Sequence, residues 1–170
     1  MNNQTRITPE EREAYVADAH ERLVGEKLGD VRINILVKTC SAIMLDYLGR
    51  QLAPYALSTT GYLAMMMIFS HPENLVNPSE LSAEMRETRG NVTRICDELV
   101  KQGYIRRVTN LEDRRRVDLS LTDEGIALLQ KVVPVLRKQI ETVYAVFSEE
   151  EKATLYGLLG KLYRSFELKS

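Results

Sequence analysis

The chain has few of the residues that disulfide-rich proteins and metal-binding proteins require. Of its 170 residues, only two are cysteines and two are histidines. Two cysteines without paired spacing do not form a disulfide framework, so a reducing compartment is expected. His20 and His71 are too few and too far apart in the sequence to indicate a zinc site. We therefore expect no metal and no cofactor.

Long apolar runs, secretory signals and catalytic signatures are also missing. No segment is long and apolar enough to cross a membrane, and charged residues occur throughout residues 1–27, unlike a signal peptide. The sequence contains no phosphate-cradling glycine loop, no nucleophile elbow and no histidine-based acid/base constellation. These absences predict a cytoplasmic protein that is not an enzyme and has no membrane partner.

The most informative segment of the sequence is 77–124, which predicts two short helices and a β-hairpin. Asn77 and Pro78 form a helix start, because the first can cap the helix and the second fits its first position. Thr88 is the predicted cap of the second helix, and Gly103 is the expected left-handed residue after its end. A helix pair of this kind followed by a basic hairpin suits double-stranded DNA.

The second helix has one apolar and one polar face. The apolar stripe recurs at helical spacing and is predicted to be buried: Val92, Ile95, Cys96 and Leu99. The polar face concentrates cationic and hydrogen-bonding groups in its first two turns, where the helix dipole favours phosphates. Gly90 there would let the backbone come close to DNA. A solvated polar face is the alternative interpretation.

The predicted hairpin joins strands 104–109 and 116–121 through a polar loop that ends in arginines. In the second strand, alternation predicts that Val117, Leu119 and Leu121 are buried. It predicts that Arg116, Asp118 and Ser120 are exposed on the other face. Adjacent arginines repel each other, and the negative potential of a narrow minor groove would lower that energy. The net charge of −1 is modest for a DNA-binding protein, so binding should depend on dimerisation and weaken steeply with salt.

Two strings in this segment resemble a known family. DRRRVDLSLTDEG at 113–125, preceded by LVKQGYIRR at 99–107, is similar to the wing signature of the MarR family, which are bacterial winged-helix transcription regulators. RGNVTR at 89–94 is similar to the recognition helix of the EmrR branch, repressors of multidrug efflux genes. The motif resemblance covers 77–125, and length and helix order are compatible over about 30–168.

The resemblance implies a mainly α fold with a small β-hairpin wing. It places a winged helix-turn-helix DNA-binding domain at 54–122 and a helical dimerisation region at 30–53 and 123–170. Residues 1–29 lie outside the resemblance, and a capping box at Thr8 predicts that they form an N-terminal helical extension. The terminal helices also carry more apolar side chains than a small winged helix can cover, which favours a dimer. A terminal helix folded back on its own domain is the alternative.

The resemblance also implies a function and the residues that perform it. The function is that of a homodimeric repressor bound to a pseudo-palindromic operator in double-stranded DNA. In the wing, Asp113 would orient Arg115 in the minor groove, whereas Arg114 and Arg116 would contact phosphates or act as spacers. The implied major-groove surface is Thr88, Arg89, Gly90, Asn91, Thr93 and Arg94. A helical ligand-binding or protein-interaction module that has lost DNA binding is the alternative function.

Members of this family often bind small phenolic or aromatic acids or hydrophobic drugs, and the ligand favours a different spacing of the recognition helices. The candidate lining is soft and partly methionine-rich: Cys40, Met44, Tyr47, Tyr62, Met65, Met66 and Phe69. For each of these residues, ordinary core packing is the alternative. Cys40 lies about two turns later than the reactive cysteine of peroxide-sensing relatives, and Cys96 is expected to be an inert buried thiol.

Overall fold

The structure is a computed structural model that describes residues 7–25, 29–110 and 116–167. Its helices are α1 (Pro9–Val24), α2 (Gly29–Leu52), α3 (Thr59–Ser70), α4 (Pro78–Met85), α5 (Arg89–Lys101), α6 (Asp123–Tyr144) and α7 (Glu149–Glu167). Its strands are β1 (Leu75–Val76), β2 (Ile105–Thr109) and β3 (Val117–Leu121), and single 3-10 turns occupy Ala53–Tyr55 and Pro72–Asn74. The expected mainly α fold with a small β-hairpin is confirmed.

The three strands form one antiparallel sheet in the order β1-β3-β2. In the hairpin Ile105 pairs with Leu121 and Thr109 pairs with Val117, so the two strands match over their whole length. The two residues of β1 pair with Ser120 and Leu119 on the other edge of β3. The sequence did not predict β1, because two residues are too few to show alternation.

The predicted burial of β3 is wrong at three positions. Val117 is 42% exposed, whereas Asp118 and Ser120 are each only 7% exposed. β3 is the central strand, and both α4 and α6 lie close to it, so both of its faces are covered over most of its length. Val117 is at the open end of the hairpin. The Asp118 carboxylate, although buried, accepts a 2.5 Å hydrogen bond from the Asn110 side-chain amide.

Most helices begin directly after a residue whose side chain caps them, as the sequence predicts. The Asn77 side chain accepts hydrogen bonds from the backbone N–H groups of Ser79 and Glu80, both at 3.0 Å. The other observed caps are those of Thr8, Thr88, Thr122 and Ser148, whose hydroxyls each accept a backbone N–H from the residue three positions on. α6 runs through Pro134 as one helix. Proline has no N–H to donate at that point.

The end of α5 and the start of α6 meet at a tight crossing. Gly103 has a φ of +79°, and the Tyr104 N–H bonds back to the Leu99 carbonyl at 3.0 Å, which is a Schellman ending. The Thr122 hydroxyl donates to the Gly103 carbonyl at 2.6 Å. A Cβ on Gly125 would lie 2.1 Å from the Tyr104 carbonyl oxygen. Only glycine therefore fits at this crossing.

The chain divides into two compact units, Met1–Thr59 and Thr60–Ser170. In the first, α1 packs against α2, and Glu13 forms a 2.5 Å ion pair with Arg32. In the second, the fully buried large side chains are Met65, Ile68, Val76, Leu81, Val92, Cys96, Leu99, Ile105, Leu119 and Val132. Within the described ranges, no single helix meets the length and composition expected of a membrane span, although the bent pair Gly29–Tyr55 and Thr59–Ser70 does so jointly.

Candidate nucleic-acid interface

The turn between α4 and α5 is held by a pair of hydrogen bonds. Arg86 adopts the left-handed conformation with a φ of 52°, which reverses the chain after α4. The Ser82 hydroxyl donates to the Glu87 carbonyl at 2.7 Å, and the Glu87 N–H donates to the Ser82 carbonyl at 3.1 Å. The Ser82 side chain is buried, so this contact fixes the direction in which α5 leaves the turn.

The apolar stripe of α5 is buried, as predicted. Val92, Ile95, Cys96 and Leu99 are each no more than 2% exposed. Desolvation raises the pKa of the Cys96 thiol to about 11, although the nearby Arg107 acts in the opposite direction. The stripe fixes the rotation of α5 about its axis, and its opposite face is therefore directed outward.

The first two turns of α5 form an exposed polar surface. The side chains of Arg89, Thr93 and Arg94 are exposed, and Asn91 is half-buried. A Cβ added at Gly90 would have nothing within 4 Å, so the backbone is open to solvent there. The structure thus brings the predicted recognition-helix residues, with the Thr88 cap, to one surface.

A hydrogen-bonded network runs along this surface, and it includes Glu87, a residue that sequence reasoning missed. The Asn91 side-chain nitrogen donates to the Glu87 carboxylate at 2.8 Å, and Arg94 Nη2 donates to Asn91 Oδ1 at 2.9 Å. Arg94 Nη1 also lies 3.8 Å from the Glu98 carboxylate. The spacing of Glu87 four residues before Asn91 and of Arg94 four before Glu98 is the signal that could have predicted the network.

A second polar contact links α5 to the hairpin. Arg107 on β2 forms a 2.6 Å ion pair with Asp97 on α5. Both side chains are substantially exposed, so the pair contributes roughly 0.2–1 kcal/mol. The ion pair therefore orients the hairpin relative to α5 more than it stabilises the fold. Arg106 and Arg107, which were not among the predicted site residues, add two exposed cationic side chains on β2, of which Arg107 contacts α5.

The hairpin closes at the base of the predicted wing loop. The Asn110 N–H donates to the Arg116 carbonyl at 3.0 Å, directly beyond the last strand pair. Arg116 is exposed. The other predicted wing residues, Asp113, Arg114 and Arg115, lie outside the described residues.

The predicted ligand-lining residues do not share one environment. Met65 is completely buried in the hydrophobic core, which is the alternative given above for each of these residues. Met66 and Phe69 line an apolar cavity of about 330 Å³ together with Ile126, Leu129, Gln130, Val133 and Pro134. Tyr62 is half-buried, and desolvation raises its pKa.

The remaining predicted lining residues, Cys40, Met44 and Tyr47, lie on α2 in the first compact unit. Cys40 and Met44 are exposed, and Tyr47 is half-buried. The structure therefore places only Met66 and Phe69 of the predicted set around one described cavity.

The helix pair, its exposed polar surface and the following hairpin define a winged helix-turn-helix. The chain matches the MarR family model over residues 57–117. It is 32% identical over 119 residues to the transcriptional repressor MprA of Escherichia coli K12, covering 70% of this chain and 68% of that protein. It is 30% identical to the Escherichia coli transcriptional regulator PrsX, covering 64% of this chain and 66% of that protein. The chain belongs to the MarR family of transcriptional regulators and is not an enzyme.

Solved structures show the same fold. A mutant of Escherichia coli MarR, solved in complex with operator DNA, superimposes with a TM-score of 0.71 at 22% identity, covering 84% of this chain and 96% of that one. The sequence matches to PrsX and MprA span about two thirds of the length of those relatives.

Proposed function

We propose that the protein is a homodimeric repressor that binds a pseudo-palindromic operator in double-stranded DNA. The observation that carries this proposal is the exposed polar surface in the first two turns of α5, beside a β-hairpin with exposed arginines. The relative MprA is named a transcriptional repressor, which supports repression. The similarity of residues 89–94 to the EmrR branch supports a place beside that branch.

The dimensions of α5 suit the major groove. Its 13 residues span about 20 Å, and the groove of B-form DNA admits one α-helix. Arg89, Thr93 and Arg94 lie in the N-terminal half of the helix, which is the end that contacts base edges in helix-turn-helix proteins. The open backbone at Gly90 allows close approach to the duplex. We therefore assign base reading to this end of α5.

The loop beyond Asn110 and Arg116 would serve as the wing. Its arginines would enter the minor groove next to the major groove occupied by α5, with Arg115 as the inserted side chain and Asp113 orienting it. Arg116 at the end of the loop and Arg106 farther back on β2 are exposed positive charges that can contact phosphates. Because phosphate contacts release counterions, this charge predicts a strong salt dependence of binding.

Exposed apolar side chains on the terminal helices support dimerisation. Such side chains lie along the end of α6, in the turn that follows it and along α7: Ile140, Val143, Phe147, Leu158, Leu159, Leu162 and Phe166. Contiguous apolar surface of this kind marks an interaction site in a folded protein. A second copy of the chain is the occupant that a two-fold operator requires, because dimer symmetry matches operator symmetry.

We also propose that small aromatic or hydrophobic molecules release the repressor from DNA. The apolar cavity beside Met66 and Phe69, of about 330 Å³, falls within the range of small-molecule sites. It is formed by α3 and α6, and its lining on α6 begins at Ile126, about one turn after the start of the helix that follows the hairpin. A ligand that prefers one arrangement of these helices shifts the population of DNA-binding conformers.

Operator selection from genomic fragments with the purified protein tests the proposal. We expect one enriched sequence with inverted symmetry, bound in a gel shift with an affinity that falls steeply between about 50 and 200 mM salt. Arg115→Ala should reduce affinity for that operator at least about tenfold, since one minor-groove charge contact is lost. Arg12→Ala, the same charge change on an exposed residue of α1, is the matched control and should bind as the wild type does.

The effector is tested by repeating the gel shift with a panel of phenolic acids and uncouplers. A compound that releases operator DNA should also raise the melting temperature of the protein without DNA. If the wild-type protein binds no duplex at low salt but still binds such compounds, the helical ligand-binding module is the correct function and the repressor proposal is wrong.

A further inference from the structure

We propose that Glu87 is a positioning residue that acts through Asn91 to hold Arg94 against a guanine of the operator. This inference rests on the proposed DNA-binding function and adds to it the roles of three side chains and the base that they select. Glu87 lies before the Thr88 cap and belongs to the turn, so it precedes the surface that sequence reasoning assigned to base reading.

The chemistry of the partners fixes the orientation of the Asn91 amide. A carboxylate can only accept hydrogen bonds, so the amide nitrogen of Asn91 must face Glu87. A guanidinium can only donate them, so the amide oxygen must face Arg94. Asn91 thus has a protein partner at both ends of its amide, and that arrangement fits a relay between two side chains.

Arg94 is the member of the network that can reach DNA. Its side chain is 66% exposed, and it lies in the second turn of α5 on the outward face. Contacts to Asn91 and Glu98 use only part of its donor set, because a guanidinium carries N–H groups on three nitrogens. Paired N–H groups of arginine match the O6 and N7 acceptors of guanine, the commonest specific contact in the major groove.

The position of Glu87 has two opposite effects on DNA affinity. Its charge weakens binding to DNA of any sequence, whereas its hold on Arg94 strengthens binding only to a sequence with guanine at the right position. A carboxylate just before the start of α5 repels phosphates whatever the bases are. Holding a long, flexible arginine in one orientation lowers the entropy lost on contact with a base, and this gain is realised only where guanine is present. Glu87 should therefore raise specificity more than affinity.

The backbone of Glu87 is anchored independently of its side chain. Its N–H and carbonyl both bond to Ser82. Substitution of the side chain therefore leaves the turn intact, which allows the positioning role to be separated from a structural one.

The test measures the affinity of variants for the selected operator, for versions of it with one base pair changed, and for a scrambled duplex. Arg94→Ala should lose about tenfold in preference at one guanine-containing base pair. Glu87→Ala should lose preference at the same base pair, while its affinity for the scrambled duplex stays equal or rises. Glu87→Gln should retain the preference, because the amide oxygen still accepts from Asn91.

Two further variants complete the design. Glu80→Ala removes the same charge from an exposed position on α4 and should leave the base preference unchanged. The double variant Glu87→Ala with Arg94→Ala should lose no more preference than Arg94→Ala alone, since the two residues act as one unit. Should Glu87→Ala fail to fold, Asn91→Ala interrupts the same relay and should lose preference at the same base pair.

Several results would overturn the inference. It is wrong if Glu87→Ala keeps the base preference, if it weakens operator and scrambled DNA by the same factor, or if the base pair read by Arg94 contains no guanine. It is also wrong if Asn91→Ala loses preference at a different base pair, which would make Asn91 a direct reader of adenine. If the wild-type protein selects no operator at all, the proposed function itself has failed.

Discussion

The two cysteines differ in the accessibility of their thiols, and burial also changes the acidity of Cys96. Cys40 is exposed on α2, whereas Cys96 is buried in the apolar stripe of α5. Burial raises the pKa of Cys96 from 9.0 to about 11, because the thiolate is poorly solvated there. Since the thiolate is the reactive form, Cys96 is protected twice, by access and by protonation.

This difference predicts selective labelling of the native protein. At pH 8, a thiol reagent should modify Cys40 rapidly and Cys96 only at the rate of unfolding. The raised pKa also means that the contribution of Cys96 to stability is complete below pH 9 and is lost as the pH rises through about 11, because the unfolded thiol ionises first. Mass spectrometry of Cys40→Ser and Cys96→Ser variants assigns the labelled site, and equal rates in the native protein would contradict this interpretation.

At the scale of elements, two glycines have opposite environments. Gly125, in the first turn of α6, has no room for a side chain because the Tyr104 carbonyl occupies the position of a Cβ. Gly90, in the first turn of α5, has open space around it. The fold therefore requires glycine at position 125. At position 90 the fold would accept a side chain, so glycine there can serve DNA binding instead.

Gly125→Ala should destabilise the protein by about 1–3 kcal/mol, because α6 must move away from the start of β2 to relieve the overlap. The movement would also strain the bond from Thr122 to the Gly103 carbonyl. Urea unfolding followed by circular dichroism measures the change. Gly157→Ala, in open space within α7, serves as the control. A variant as stable as the wild type would show that this crossing is not tightly packed.

Gly90→Ala should lower the affinity for operator DNA without lowering the stability of the fold. Alanine in a helix is favoured over glycine by about 0.5–1 kcal/mol, so the variant should be equally or more stable to unfolding. Its methyl group lies on the surface that we assign to DNA, so operator affinity should fall while the dimer is retained. Gel shifts and thermal unfolding of the same preparation give both values. Undiminished operator binding would place the duplex farther from the start of α5.

The helices and the polar surface of α5 could be predicted from the sequence because their signals are local. A capping side chain such as Thr88 and an apolar stripe such as the one containing Val92 need only neighbouring residues. The burial of Asp118 could not be predicted, because it depends on how α4, which is distant in sequence, and α6 pack against β3. Glu87 was missed for a related reason: its partner Asn91 was read as a base contact, and only the side-chain conformations show it to be engaged within the protein.

At the scale of the whole molecule, positive charge and apolar surface have different roles: the charge contacts DNA, and the apolar surface contacts a second copy of the chain. A net charge of −1 gives little general attraction to DNA, so one α5 and one wing should bind weakly at physiological salt. The apolar side chains of α7, by contrast, offer a large surface to a second copy. Joining two weak DNA-binding units in a dimer can raise affinity by about 10²–10⁴ without any new DNA contact.

Leu159→Glu tests this division directly. Leu159 is 44% exposed on α7 in the single chain, so a charge there should be tolerated in the monomer and costly in a dimer interface. We expect sedimentation to show a folded monomer. This monomer should still bind half an operator weakly, but its affinity for the full operator should be about 10²-fold or more below that of the wild-type dimer. Lys161→Gln, which changes the charge by the same amount on an exposed polar residue of the same helix, should remain dimeric. A Leu159→Glu variant that stays dimeric, or a monomer that retains full operator affinity, would show that cooperation between two copies through α7 is not the source of tight binding.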